Sequence, residues 1–313
     1  MFPKLLTSRL QTILGPDYND TLEVFAHERK GSFRINLLKS DEASVLAELE
    51  SKSITVTPFA GIAGAYLFEK KDDYALKGTD AFYSGNIYLQ SISSMLPVLV
   101  LAPKPGESIL DVCAAPGSKT TQMAMIMGNE GKITALEQNP IRFDKLMHNA
   151  VLQGVTIVEW KKVDARVYLD PLGIKKFDKI LLDAPCSAEG RITLTNDKTY
   201  WFWSLENIKK KANVQYDLLS RAILRLETWG TLVYSTCTLA PEENEWIITR
   251  VLAENPDITL EPIDIGFGEC DWWKEGITKF GSQKYSEEMK KAVRILPSEE
   301  TEGFFVVKLV RKI

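Results

Sequence analysis

The chain has 313 residues, 45% of them hydrophobic and 26% charged, with a formal net charge of −4. This is ordinary globular composition, enough for one large domain or for a core domain with a smaller partner. No run approaches the roughly 18–20 consecutive apolar residues of a membrane-spanning helix, and residues 1–14 hold no apolar block ending in a small-residue cleavage site. Four cysteines (Cys113, Cys186, Cys237 and Cys270) lie far apart without C-x-x-C pairing, beside only two histidines. Neither a disulfide framework nor a metal site is expected, and the free thiols suggest a reducing, cytoplasmic setting. A strongly basic domain would advertise nucleic acid. Here only residues 1–40 and 101–240 lean positive, so any polyanion must be met by a local patch.

Residues 1–30 carry Leu5, Leu6, Leu10, Ile13, Leu22, Val24 and Phe25 at helical spacing. Residues 33–38 read as a strand, 41–50 as a helix capped by Ser40 or Asp41, and 54–58 and 66–68 as short strands. The expected division is therefore an N-terminal helical segment with a small α/β module over 1–75, and a larger domain over 76–313. From about residue 105 strands and helices alternate. Strands are expected at 108–112, 132–137, 157–163, 178–183 and 230–234, with helices at 119–127, 141–153 and 205–227 and a closing strand at 303–309. That pattern is an α/β fold with a parallel sheet, which binds ligands beyond the carboxyl ends of its strands.

The chemistry-bearing residues stand at those ends. The turn 111–120 contains Cys113, Ala114, Ala115, Pro116, Gly117, Ser118 and Lys119. It lacks both G-x-G-x-x-G and the P-loop pattern, so it suits a ligand without phosphates, such as S-adenosylmethionine. Glu137 ends the second strand, where a carboxylate accepts from ribose hydroxyls, and Asp164 follows the third, near an adenine edge. Cys186 follows the fourth strand in Asp183-Ala184-Pro185-Cys186, and Cys237 follows the fifth in Ser235-Thr236-Cys237. Two thiols beside a methyl donor point to carbon 5 of cytosine. A thiolate adding at carbon 6 makes carbon 5 nucleophilic enough to take a methyl group.

These stretches resemble the Nol/Nop/Sun-type RNA 5-methylcytosine methyltransferases. The likeness rests on residues 111–121, 183–187 and 234–238, on 241–245, and on Arg34-Ile35-Asn36, Tyr88-Leu89-Gln90 with Ser93-Ser94, and Glu302-Gly303-Phe304-Phe305. It implies a Rossmann-like, S-adenosylmethionine-dependent methyltransferase acting on RNA. It also implies that Cys237 is the nucleophile, that Cys186 assists release, and that Asp183 and Lys119 hold the base. The family's cofactor contacts carry over onto Cys113 through Lys119, Glu137, Asp164 and Asp183. The Gly-Ser-Lys-Thr-Thr-Gln wording at 117–122 and Trp203 resemble the bacterial RsmF-like branch. Ribosomal RNA is accordingly the expected substrate, transfer RNA the second, and a non-catalytic RNA-binding assembly factor the alternative class. The family usually has glycine where this chain has Ala188, which would narrow the loop after Cys186. The RsmF-like branch also carries a further C-terminal RNA-binding domain, a role the N-terminal module is expected to take, in a monomer that does not engage membranes. The aromatic run 199–203, the lysines 209–211, residues 271–273, His27 and His148 are not assigned to the site.

Overall fold

In the computed structural model, which describes residues 2–170, 175–266 and 270–312, the chain opens with α1 (Lys4–Leu14) and α2 (Tyr18–Ala26). Their apolar faces (Leu6, Leu10, Ile13 and Phe25) pack on Ile192, Leu239 and Leu296 of the larger domain. Arg9 on α1 also holds Glu242 at 2.7 Å. The small module is an antiparallel sheet of β1 (Gly31–Ile35), β2 (Val56–Pro58), β3 (Ala65–Phe68) and β4 (Ile87–Leu89), in the order β2-β3-β1-β4. Between β1 and β2, α3 (Glu42–Ser51) places Val45 and Leu49 on the sheet. The Asp41 carboxylate starts that helix by accepting the Ser44 N–H at 2.9 Å, a cap worth about 1 kcal/mol. Two short helices, α4 (Asp73–Lys77) and α5 (Asp80–Tyr83), lead from β3 to β4. A boundary at residue 75 thus falls inside the module. Its fourth strand spans only Ile87–Leu89, too short to show a strand period in sequence.

The connection to the larger domain is α6 (Ile92–Leu101), buried on nearly every side and containing Pro97. Beyond it, β5 (Ser108–Asp111), β6 (Lys132–Glu137), β7 (Val158–Lys162), β8 (Phe177–Asp183) and β9 (Leu226–Thr236) pair in parallel as β7-β6-β5-β8-β9. The connecting helices are α7 (Ser118–Ile126), α8 (Pro140–Leu152), α9 (Ala165–Tyr168) and α10 (Leu205–Ile223). This is the expected Rossmann-like half, with its chain order reversing between β5 and β8. Ligands bind at such a reversal.

After β9 come α11 (Glu245–Glu254) and β10 (Ile258–Glu261), then β11 (Trp273–Glu275), the hairpin β12 (Lys279–Phe280) and β13 (Gln283–Lys284), β14 (Val293–Ile295) and β15 (Phe304–Arg311). Strand β15 lies antiparallel to β9 and carries β10 and β14, so the large sheet is mixed, with nine strands among the described residues. The helix expected to reach residue 227 ends at Ile223. Strand β9 begins at Leu226, paired with Phe177, and passes through Trp229 at φ +64°. No helix among the described residues is long and apolar enough to cross a membrane.

Strands β8 and β9 place Asp183 opposite Ser235, so the loops that follow them emerge together. The turn 241–245 clamps both. Glu243 accepts the Ser187 N–H at 2.9 Å and the Gln215 side-chain amide at 2.8 Å. Asn244 accepts from the Thr236 hydroxyl at 2.6 Å and donates to the Thr238 carbonyl at 3.0 Å. Glu245 takes both arms of Arg294 at 2.6 and 2.7 Å, with both side chains buried. Breaking such a buried pair by removing one partner costs about 3–5 kcal/mol.

Burial pushes the Glu243 carboxyl from 4.5 up to about 7, against hydrogen bonds from Ser187 and Gln215 that pull it down. Between these values the folded state keeps a proton that the unfolded chain has lost. Stability from this group is therefore present below about pH 4.5 and lost as the pH rises toward about 7. Buried Asp111, also pushed up to about 7, acts in the same direction. We predict that Glu243→Gln flattens the fall in Tm between about pH 5 and about pH 7.5, leaving the part due to Asp111. Thermal melts at stepped pH check this. A slope identical to wild type would contradict the role given to Glu243.

Candidate active site

Five strand ends meet around one opening. The β5 end leads into the turn 112–117 and α7, whose first turn carries Lys119. The Lys119 ammonium donates to Asp183 Oδ2 at 2.7 Å and to Ser94 Oγ at 2.8 Å. Asp183, at the end of β8, accepts from Ser235 Oγ at 2.9 Å through its other oxygen. Lys119 is almost wholly buried while Asp183 is about one-third exposed, so the pair shows its carboxylate side to the opening. Phe304, brought beside Cys237 by the pairing of Phe305 with Thr236, lies under Lys119 with 5.6 Å from ammonium to ring centre.

Cys186 and Cys237 have their sulfurs 3.0 Å apart. The contact with Cys237 and burial together push the Cys186 thiol well up; either sulfur can donate in their hydrogen bond. A third thiol, Cys113, is also pushed up by burial and by the nearby carboxylates.

Two cavities open here. One, of about 570 Å³, runs from Cys237 and Lys119 past Ser94 and Tyr88 toward the small module. The other, of about 390 Å³, is lined by Cys113, Glu137, Asp164 and Pro185. Ala115, Arg142, Asp183 and Cys237 line both, so the cavities share a wall. The second suits an adenosine-bearing methyl donor. Its apolar walls, Leu136, Val163, Pro185 and Leu218, leave a slot without a phosphate cradle. Glu137 accepts the Asn139 N–H at 2.8 Å and lies 3.3 Å from Arg142, with lone pairs to spare for hydroxyls. Asp164 caps α9, and its hydrogen bonds with Arg166 pull its carboxyl down, keeping it an acceptor.

Of the residues expected to touch the cofactor, Cys113, Ala115, Glu137, Asp164 and Asp183 line the second cavity, while Pro116, Ser118 and Lys119 line the first. Ala114 and Gly117 line neither. Ala114 packs with Ala135 and Leu146. Gly117 holds φ +103°, and a Cβ there would meet Leu146 at 2.9 Å. Ala188 sits at φ +62°, a region costing an L-residue about 1–2 kcal/mol. The glycine of this loop is instead Gly190, where a Cβ would come within 1.9 Å of the Gly303 carbonyl oxygen. Gly190 donates to the Cys237 carbonyl at 3.0 Å and accepts from Gly303 at 2.9 Å, docking the loop on both.

Several neighbours had no site role assigned from the sequence. Buried Arg34 donates to Gln90 at 3.0 Å and Thr121 at 2.7 Å, and Gln90 donates to Gln122 and to the Ser94 carbonyl. This links the small module to the residue that holds Lys119. Lys211, left unassigned, lines the second cavity. Trp203 donates to Glu189 at 2.7 Å, whereas Trp201 and Phe202 are exposed.

The family described as 16S rRNA methyltransferase RsmB/F matches residues 98–310. A tRNA (cytosine(49)-C(5))-methyltransferase of Pyrococcus abyssi is 37% identical over 279 residues, covering 89% of this chain and 87% of that protein. Ribosomal RNA small subunit methyltransferase F of Serratia proteamaculans is 36% identical over 284 residues, covering 89% of this chain and 56% of its own length. The crystal structure of a methyltransferase homologue from Pyrococcus horikoshii superposes with a TM-score of 0.85 at 31% identity, covering 99% of this chain and 95% of that one. The chain belongs to the RsmB/F family of S-adenosylmethionine-dependent RNA cytosine-C5 methyltransferases.

Proposed function

We propose that the protein methylates carbon 5 of a cytosine in RNA through a covalent bond between Cys237 and carbon 6 of the base. The observation that supports this most is the wall shared by the two cavities, where Cys237 and Asp183 face both. Cys113, Ala115, Glu137 and Asp164 would hold S-adenosylmethionine, which when bound supplies an electrophilic methyl group on a sulfonium. The base, turned out of its stack, would enter from the Lys119 side. Cys237 adds to carbon 6 and makes carbon 5 an enamine carbon. Asp183 accepts from the exocyclic amine and Lys119 donates to the ring carbonyl, fixing the base where charge develops. Once carbon 5 carries the methyl group it gives its proton to a base, the Cys237–carbon 6 bond breaks to return the Cys237 thiolate, and Cys186 assists that release. A binding factor without catalysis would need neither thiol nor the Lys119–Asp183 pair.

The RNA proposed first is ribosomal, in keeping with the family's description, with the small module as the RNA-binding unit. Transfer RNA is the second reading, favoured by the 37% identity to the archaeal enzyme. RNA bisulfite sequencing of cells with and without the gene separates them: a methylcytosine lost from ribosomal RNA supports the first reading, and one lost from transfer RNA the second. No lost site would contradict the enzymatic reading. Cys237→Ala is expected to abolish turnover while S-adenosylmethionine binding, measured by calorimetry, is retained. Cys186→Ala is expected to accumulate an RNA-linked band on denaturing gels. Turnover by the first variant, or no band from the second, would contradict the roles assigned.

A further inference from the structure

Arg29 lies between α2 and β1, on the rim of the cavity that ends at Cys237. One arm of its guanidinium donates weakly to the Ile192 carbonyl, at 3.4 Å. The other, Nη1, is buried without a hydrogen-bond partner. A buried donor left unpaired is destabilising, the more so when charged. On the same rim, Arg191 lies 3.3 Å from Glu302, whose second oxygen accepts from Ser91 Oγ at 3.1 Å. Glu302 acts on both arginines. Burial lowers the Arg29 pKa, Glu302 raises it, and Arg191 lowers it again. Arg191 pairs directly with Glu302, and Arg29 feels both that carboxylate and the like charge of Arg191. Lys30 also lines the rim and meets Glu300 at 3.7 Å. Around this cavity Lys and Arg outnumber Asp and Glu, although the whole chain is acidic.

We propose that Arg29 and Arg191 form a phosphate subsite for the RNA backbone flanking the target nucleotide. This rests on the RNA reading above and gives it a specific contact. A base that reaches Cys237 draws its two phosphodiesters toward the cavity mouth, where the unspent Arg29 donor waits. An anion there would draw the buried Nη1 outward, give it a partner and offset the repulsion between the two arginines. Arginine suits this role because its fork meets two phosphate oxygens at once.

The test is binding of a short, labelled single-stranded RNA with one cytidine, measured against salt concentration. For Arg29→Gln and Arg191→Gln separately, affinity is expected to fall about tenfold at low salt, and the slope of log K against log salt to become shallower by about 0.7. Arg29→Lys keeps the charge and is expected to retain most of the slope. The same RNA with uncharged methylphosphonate linkages flanking the cytidine should weaken wild type similarly and weaken Arg29→Gln little further. Wild-type slopes in both Gln variants, or fully additive losses, would overturn the subsite while leaving the RNA reading intact. A wild-type protein with a normal thermal melt that binds no RNA would overturn the RNA reading and the subsite with it.

Discussion

Two sulfur atoms 3.0 Å apart sit on loops that follow different strands, and the turn 241–245 is what keeps them there. Glu243 grips the loop of Cys186 through Ser187, and Asn244 grips the loop of Cys237 through Thr236 and Thr238. Glu242 and Glu245 anchor the turn itself, one to α1 through Arg9 and the other to β14 through Arg294. Each contact is short, and those of Glu243, Asn244 and Glu245 are buried. A displaced turn would separate the thiols and expose several unpaired polar groups at once. The site therefore inherits its geometry from a piece of chain that touches neither cavity.

The same economy joins the small module to the chemistry. Arg34 on β1 is buried, held by Gln90, Thr121 and the face of Tyr88. Burial lowers its pKa to about 10, so it remains charged at neutral pH. Gln90 carries the connection to Ser94, and Ser94 to Lys119. Hydrogen bonds thus connect the module, through Gln90 and Ser94, to the ammonium that faces Asp183. Asp183 stands between the two cavities and is the point at which both halves of the site meet.

Much of this was legible in the sequence because the parallel strands end in chemistry. Apolar runs leading into Asp111, Glu137 and Asp183 announce both a strand and a site residue. The shared wall of the cavities was not legible, because it depends on register: Asp183 opposite Ser235, and Phe305 opposite Thr236. Helix α6 escaped because ten largely apolar residues around Pro97 carry no amphipathic period. Strands β11 and β14 escaped because three residues cannot show alternation. Arg29 and Arg191 are separated by the small module and the first half of the larger domain, and only tertiary packing brings both to one cavity rim. The overall acidity of the chain hid them, as a local patch within an acidic whole must be hidden.

The central claim is the proposed division of labour between the two thiols, with Cys237 as the sulfur that bonds to the base and Cys186 as the one that assists release. It is tested most directly by trapping the wild-type protein on RNA containing 5-fluorocytidine, whose carbon 5 has no proton to lose, and mapping the cross-linked peptide by mass spectrometry. The account predicts a nucleotide bonded to Cys237, with Cys186 unmodified in the same molecules. A nucleotide on Cys186, or an even division between the two, would contradict it.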